Sequence, residues 1–75
     1  MQKTMDLQEQ FLQQVKRDRL GLTVFLMNGF QMRGVVTGYD SFTVVLDCEG
    51  KQELVYKHAI STIIPARPVS LGAED

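Results

Sequence analysis

The sequence predicts a mainly β domain with one N-terminal α-helix, folded as a strongly bent, five-stranded open barrel. Three observations predict this fold. A helical spacing of apolar residues is confined to the first part of the chain, and five short runs rich in β-branched and aromatic residues follow it. Glycines and turn residues separate these runs. The length of 75 residues allows one small domain.

The helix is predicted over about residues 6–18. Asp6 is a favourable N-cap, and Glu9 stands where a capping box has its acid. The apolar positions that share one helical face are Leu7, Phe11, Leu12 and Val15. Basic residues near the end of the segment suit the negative pole of the helix dipole. Gly21 is the predicted stop.

An Asn28-Gly29 turn separates the first two predicted strands. Residues 22–27 are β-branched and aromatic, and a second apolar run follows the turn. Asn-Gly between two such runs is the strongest short signal for a β-hairpin. Gly34 and Gly38 lie inside the second strand, where a glycine usually marks a sharp bend or a close approach of two backbones.

Three more strands are predicted over residues 42–46, 53–56 and 59–64, which gives five strands within about residues 22–64. A turn at Asp40 precedes the third strand, and Lys57 and His58 interrupt the apolar pattern between the last two. Pro65 ends the fifth strand. We therefore predict one domain over residues 6–65. A flexible segment, residues 1–5, should precede it, and a short mobile tail, residues 66–75, should follow it.

We predict that self-association compensates for the small surface that this domain buries on folding. A chain this short buries only about 60% of its unfolded surface. The lone Cys48 and the lone His58 provide neither an internal disulfide nor a structural zinc site. An open barrel leaves its first and last strands with unpaired backbone groups, and head-to-tail pairing of such edges closes into a ring. An unusually well-packed core is the alternative.

Composition excludes some partners and leaves others open. The hydrophobic fraction of 44% and the charged fraction of 23% are ordinary for a soluble globular domain. No apolar run approaches the ~20 residues of a membrane helix, and the polar start is unlike a signal peptide, so we expect a cytoplasmic location. The net charge of −1 is unusual for a nucleic-acid binder. Basic residues nevertheless cluster at Lys16, Arg17 and Arg19, and local charge determines the local field.

Four segments together resemble the Hfq family of bacterial Sm-like RNA chaperones. They are LQEQFL at 7–12, FLMNGFQMRG at 25–34, YDSF at 39–42 and VYKHAIST at 55–62. The resemblance covers roughly residues 6–68, and the turn at residues 49–52 is more similar to Gram-positive members. It implies an Sm-like fold, a homohexameric ring and binding of single-stranded RNA. The implied role is pairing of small regulatory RNAs with messenger RNAs, in post-transcriptional and stress-response regulation.

The resemblance implies a proximal, helix-bearing face that binds U-rich RNA. The residues it assigns there are Gln8, Ser41, Phe42, Tyr56, Lys57 and His58. In this interpretation Phe42 stacks on a base while Lys57 and His58 contact base, sugar or phosphate. The pattern alone favours a core position for Phe42, and a solvated turn for Lys57 and His58. Ser41 departs from the best-known enterobacterial pattern, which has a glutamine at that position.

The resemblance also implies a distal face that binds A-containing repeats. The residues it assigns there are Phe25, Gly29, Phe30, Gln31, Met32, Arg33 and Thr62. By pattern, Phe25 and Phe30 are either core residues or exposed stacking surfaces. Glu53 departs from the family, which commonly has a glutamine there that contacts adenine. A glutamate has no amide donor and repels phosphate, so the alternative is that only the proximal face binds RNA.

A basic rim is the third implied RNA contact, formed by Lys16, Arg17 and Arg19. The alternative is a solvated helix end, and Asp18 dilutes the positive charge.

We assign no cofactor, no metal, no membrane and no small-molecule substrate. We also expect the protein not to be an enzyme, because phosphate-binding glycine loops, metal-ligand spacings and nucleophile–base pairs are lacking. The competing function is a structural oligomeric barrel that presents a protein-binding surface. RNA binding that depends on Lys57 and on salt distinguishes the two.

Overall fold

The computed structural model describes residues 6–71 as one helix followed by five strands. The helix is α1 (Leu7–Arg17), and the strands are β1 (Leu22–Leu26), β2 (Gln31–Tyr39), β3 (Thr43–Cys48), β4 (Lys51–Tyr56) and β5 (Ile60–Pro65). One 3-10 turn, Lys57–Ala59, joins β4 to β5. All strand pairs are antiparallel and the sheet does not close, which confirms the predicted fold class. The predicted flexible segment, residues 1–5, lies outside the described residues.

Helix α1 begins and ends with hydrogen-bonded caps. The Asp6 carboxylate accepts a hydrogen bond from the backbone N–H of Glu9 at 2.9 Å, as an N-cap residue should. At the other end, Arg19 has a positive φ of 50°. The N–H of Arg19 donates to the Lys16 carbonyl, and the N–H of Leu20 donates to the Val15 carbonyl. This is a Schellman motif. The prediction that Gly21 ends the helix is wrong: the earlier turn at Arg19 brings Leu20 into the core, where it is 8% exposed.

The strand order is β4-β3-β2-β1-β5, which places the free edges at β4 and β5. The prediction that the first strand is an edge is therefore wrong. Strand β1 pairs with β2 on one side and with β5 on the other. The fifth strand returns to β1 because its apolar residues Ile60 and Ile63 pack against the core there.

The β3–β4 turn is tighter than predicted. Glu49 and Gly50 have φ values of 56° and 87°, the left-handed conformation that a two-residue hairpin needs. Pairing therefore starts at once, with Cys48 opposite Lys51. As a result β4 begins two positions earlier than the predicted 53–56.

The two glycines of β2 allow its curvature in different ways. At Gly34 a Cβ atom would collide with the Asp47 carbonyl oxygen and would lie 2.9 Å from the Cys48 sulfur. The backbones of β2 and β3 therefore approach closely at this position, as the sequence predicts. At Gly38 a Cβ atom would meet nothing within 4 Å. The register shifts between Val36 and Gly38, so Gly38 lies at a bulge that bends the strand.

One apolar core joins the helix to the sheet. Its buried members are Leu12, Val15, Leu20, Leu22, Val24, Val36, Val44, Leu46 and Val55. The helix contributes only Leu12 and Val15 as buried residues, so its other faces remain available. The core fixes α1 on one side of the barrel and thereby defines a helix-bearing face.

Residues 66–71 return from β5 to α1. The N–H of Ala66 donates to the Gly21 carbonyl at 2.8 Å, and the side-chain amide of Gln14 donates to the Ser70 carbonyl. Val69 packs against the core. This part of the predicted mobile tail therefore has partners on the helix and on the barrel, and residues 72–75 lie outside the described residues.

Candidate nucleic-acid interface

Lys57 and Phe42 meet at one end of the barrel. The backbone N–H of Lys57 donates to the carbonyl of Phe42 at 2.8 Å, which continues the β3–β4 pairing of Thr43 with Tyr56. The 3-10 turn then places His58 in an exposed position. Its imidazole stacks on the ring of Tyr56, with centroids 5.6 Å apart and planes 16° from parallel. Four of the six predicted proximal residues are thus brought together.

The Asp40 carboxylate builds the turn that presents Phe42. It accepts hydrogen bonds from the backbone N–H of Phe42 at 2.9 Å, and from the N–H and hydroxyl of Thr43 at 2.8 Å each. The Thr43 hydroxyl, followed by these two N–H groups, lowers the pKa of Asp40 below its ordinary value. The Phe42 side chain is 75% exposed. The core position that the pattern favours for Phe42 is therefore wrong.

A groove of about 460 Å³ between α1 and this turn brings the other two proximal residues to Lys57. We call it the helix-side groove, and its lining consists of Asp6, Gln8, Glu9, Tyr39, Asp40, Ser41 and Lys57. Gln8 enters it from the first turn of α1, and Ser41 from the turn after β2. The groove thus combines an amide, a hydroxyl and an ammonium group, which can donate to and accept from the edge of a base.

The outer face of the sheet carries most of the predicted distal residues. Phe25 pairs with Gln31 on one side and with Thr62 on the other, so these three side chains form one row across β2, β1 and β5. The next row contains Arg33, which pairs with Thr23. Gln31, Arg33 and Thr62 are exposed, whereas Phe25 is half-buried.

The Asn28-Gly29 turn presents the second aromatic side chain of this face. Gly29 has a φ of 94°, which favours glycine, and the Asn28 side chain accepts a hydrogen bond from the N–H of Phe30 at 3.0 Å. Phe30 is 70% exposed and is therefore a surface residue. Met32 does not join this surface. It pairs with the buried Val24 and packs against the core.

Two of the three predicted rim residues line a second groove. This rim groove has a volume of about 630 Å³ and is lined by Gln13, Lys16, Arg17, Gly38 and Tyr39. The Arg17 guanidinium forms a salt bridge with Asp18 at 3.1 Å, which neutralises part of its charge. Arg19 lies past the helix end and is not part of this lining.

Tyr39 and Gln13 are groove residues that the sequence did not single out. Tyr39 lines both the helix-side groove and the rim groove, and the Lys57 ammonium lies 6.0 Å from the centroid of its ring. The alternation of β2 could have placed Tyr39 on a face. Its contact with Lys57 depends on the β2–β3–β4 register, which no local pattern contains.

Acidic residues collect at the opposite end of the β3–β4 hairpin. Burial raises the pKa of the Cys48 thiol, and the nearby carboxylates of Glu53, Asp47 and Glu49 raise it further. Glu53 lies on the edge strand β4, opposite the buried Leu46. Three carboxylates therefore lie near the Cys48 thiol at the end of the hairpin that is far from Lys57.

Two further observations concern residues 6–71. This part of the chain contains no group of three His, Cys, Asp or Glu side chains that could hold a metal ion. Its helix is too short and too polar to cross a membrane.

Comparisons with known proteins agree on one family. A family model described as "Hfq protein" matches residues 7–70. RNA-binding protein Hfq of Carboxydothermus hydrogenoformans is 59% identical over 66 residues, which are 88% of this chain and 78% of the relative. RNA-binding protein Hfq of Brevibacillus brevis is 49% identical over 75 residues, which are 100% of this chain and 95% of the relative. A 1.55 Å crystal structure of the pleiotropic translational regulator Hfq superposes with a TM-score of 0.77 at 47% identity, over 79% of this chain and 98% of that one.

Proposed function

The chain belongs to the Hfq family, and we propose that it is an RNA chaperone with two RNA-binding faces. The helix-bearing face binds U-rich single-stranded RNA, and the outer face of the sheet binds A-containing RNA. Binding on both faces brings small regulatory RNAs and messenger RNAs together in the cytoplasm. The protein acts by binding, without catalysis. Its relatives' name, RNA-binding protein Hfq, supports the choice of RNA as ligand.

The contact between Lys57 and Phe42 carries the proposal for the helix-bearing face. The hydrogen bond between their backbones holds the main chain of an exposed aromatic residue beside that of a lysine. In our proposal a uracil stacks on Phe42, a contact worth about 1–3 kcal/mol per base. Lys57 then lies within reach of a uracil carbonyl or a phosphate. Uracil offers acceptors and one N–H donor, and the Gln8 amide can satisfy both kinds of group.

The charges of the helix-side groove favour a base over a phosphate inside it. Asp6 and Asp40 both line the groove, and both carboxylates already accept hydrogen bonds from backbone N–H groups. Their negative charge repels phosphate, which is drawn instead towards Lys16 and Arg17 in the rim groove. We infer that bases enter the helix-side groove while the RNA backbone follows its outside.

For the outer face we propose stacking of purines on Phe25 and Phe30. The row that joins Phe25 to Gln31 and Thr62 supplies donors and acceptors for a base edge, and Arg33 can contact phosphate. Glu53, in place of an amide, lowers the affinity for A-rich RNA. The expected order is tighter binding of U-rich than of A-rich RNA.

The two free edges support a ring of identical copies. In our proposal β4 of one copy pairs with β5 of the next, so that one head-to-tail contact repeats until the ring closes. Leu54 on β4 and Ile64 on β5 are 56% and 51% exposed, and such apolar edges require a cover. We expect six copies, as in the family. Native mass spectrometry measures this number directly.

Titration of a fluorescently labelled oligo-U with the purified protein tests the proposed function. We expect tight binding by anisotropy and a loss of about tenfold or more for Lys57→Ala, because a charge-assisted hydrogen bond contributes about 1.5–3 kcal/mol. Lys51→Ala is the matched control, because Lys51 is an exposed lysine at the far end of β4. Equal losses in both variants would indicate general charge attraction and contradict the assigned face. A folded oligomer that binds no oligo-U would support the protein-scaffold alternative.

A further inference from the structure

Tyr39 stands at the junction of the two grooves on the helix-bearing face. It is the last residue of β2, where it pairs with Val44. Its ring is half-buried and packs against the apolar core. Among residues 6–71, it is the side chain that lines both the helix-side groove and the rim groove. Its position is therefore fixed by the core, while part of its ring faces solvent.

The Lys57 ammonium is the charged group that meets this ring. Its nitrogen lies 6.0 Å from the ring centroid, at the outer limit of the range in which the negative face of an aromatic ring attracts a cation. Within the described part of the chain, no carboxylate forms a salt bridge with Lys57. A lysine side chain without an ion pair samples many rotamers. The Asp40 carboxylate attracts the ammonium from the same groove, because the charge of Lys57 is one cause of the lowered pKa of Asp40. The ring of Tyr39 is the aromatic group next to which the ammonium lies.

We propose that Tyr39 is a positioning residue for Lys57: its ring holds the ammonium at the mouth of the helix-side groove before RNA arrives. The inference rests on the proposed function, in which Lys57 contacts U-rich RNA. A lysine that is already ordered loses less side-chain entropy on binding than a free one. Tyr39 therefore strengthens U-rich binding through Lys57, without touching the base itself.

Two variants separate the ring from the rest of the side chain. Tyr39→Phe keeps the ring face and removes only the hydroxyl. Tyr39→Leu keeps an apolar side chain but removes the ring. We expect Tyr39→Leu to weaken oligo-U binding by about two- to fivefold, the equivalent of an exposed cation–π contact. Tyr39→Phe should bind oligo-U as the wild type does, and neither variant should change oligo-A binding.

The position of Lys57 can also be measured without RNA. An aromatic ring shifts the NMR signals of protons above its face upfield, and this effect requires proximity. In protein labelled with ¹³C at the lysine side chains, we expect the ε-methylene protons of Lys57 to resonate upfield of those of Lys16 and Lys51. A Lys57→Arg variant assigns the signal. The shift should persist in Tyr39→Phe and disappear in Tyr39→Leu, whereas a purely structural role of Tyr39 predicts no selective shift.

A double-mutant cycle completes the test. In a Lys57→Met background, Tyr39→Leu should cause no further loss of oligo-U affinity, because its effect passes through the ammonium. Additive losses, or an unshifted Lys57 signal in a wild type that binds oligo-U, would overturn the positioning role alone. A wild type that shows the shifted signal but binds no oligo-U would instead contradict the proposed function and leave the Tyr39–Lys57 contact supported.

Discussion

The backbone N–H of Lys57 donates a hydrogen bond to the carbonyl of Phe42 at 2.8 Å. This bond extends the ladder between β3 and β4 by one step beyond the last paired residues, Thr43 and Tyr56. It joins a turn that precedes β3 to the turn that follows β4. The arrangement of Phe42 and Lys57 is therefore a property of strand register: any change that slips β3 against β4 separates these two residues.

Replacement of the Phe42 ring should weaken oligo-U binding without unfolding the protein. Because Phe42 is 75% exposed, Phe42→Ala should leave the thermal unfolding midpoint nearly unchanged. Its affinity for oligo-U should fall by about 5- to 150-fold, which corresponds to the loss of one stacked base. Phe42→Tyr keeps a flat ring and should retain most of the affinity. A large fall in the unfolding midpoint of Phe42→Ala would mean that the ring supports the core instead.

The stability of the turn that presents Phe42 should depend on pH. The pKa of Asp40 is lowered from its ordinary value of 3.8, so its ionised form is favoured in the folded protein. The stabilisation is complete above that ordinary value and is lost as the pH falls through the lowered pKa. Asp40→Asn keeps one acceptor oxygen but does not titrate.

Thermal unfolding of the wild type and of Asp40→Asn at several pH values measures this effect. Wild type should be the more stable protein above about pH 5, and the difference should shrink as the solution becomes more acidic than pH 4. A difference between the two proteins that stays constant down to pH 2 would show that the charge of Asp40 is irrelevant to the turn.

A methyl group should destabilise the protein at Gly34 more than at Gly38. Gly34→Ala places a Cβ against the Asp47 carbonyl and the Cys48 sulfur, and overpacking of this kind typically costs about 1–3 kcal/mol. Gly38→Ala meets nothing within 4 Å and should change the free energy of unfolding by less than about 1 kcal/mol. Chemical denaturation measures both. Equal effects would contradict the close contact between β2 and β3 at Gly34.

Removal of the Asp18 carboxylate should increase the positive charge beside the rim groove. Asp18 forms salt bridges with Arg17 at 3.1 Å and with Arg67 at 3.9 Å, so Asp18→Asn releases positive charge beside the rim groove. We expect this variant to speed annealing of two complementary RNAs by about two- to tenfold at low salt. Near 1 M salt, where the Debye length is about 3 Å, the gain should vanish.

Glu49→Gln is the matched control for the rim, because it makes the same change in net charge at the exposed β3–β4 turn. It should not speed annealing. An equal gain from both variants would assign the effect to total charge and remove the rim from the mechanism.

Local patterns were sufficient to predict the elements of this fold. The Asp6 cap, the Asn28-Gly29 turn and the alternation in β2 each depend on residues that are near one another in sequence, and each is present in the structure. The errors lie where tertiary packing overrides local preference. Arg19 adopts a positive φ in place of Gly21 because burial of Leu20 requires an early turn.

The composition of the candidate site was predictable only in part. The Tyr-Lys-His segment and Asp40 mark the region by resemblance, but the exposure of Phe42 depends on three hydrogen bonds to the Asp40 carboxylate. Met32 faces the core because it pairs with the buried Val24. The orientation of such side chains follows from the strand register, which is set by contacts between residues that are distant in sequence.

The central claim is that the helix-bearing face and the outer face bind different RNAs. The most direct test measures oligo-U and oligo-A affinities by anisotropy for Lys57→Ala and for Phe30→Ala. We predict a crossed result: Lys57→Ala loses oligo-U binding and keeps oligo-A binding, and Phe30→Ala does the reverse. Phe30 is 70% exposed, so Phe30→Ala should remain folded, and circular dichroism checks the fold of both variants. Parallel losses on both RNAs in either folded variant would contradict the existence of two separate faces.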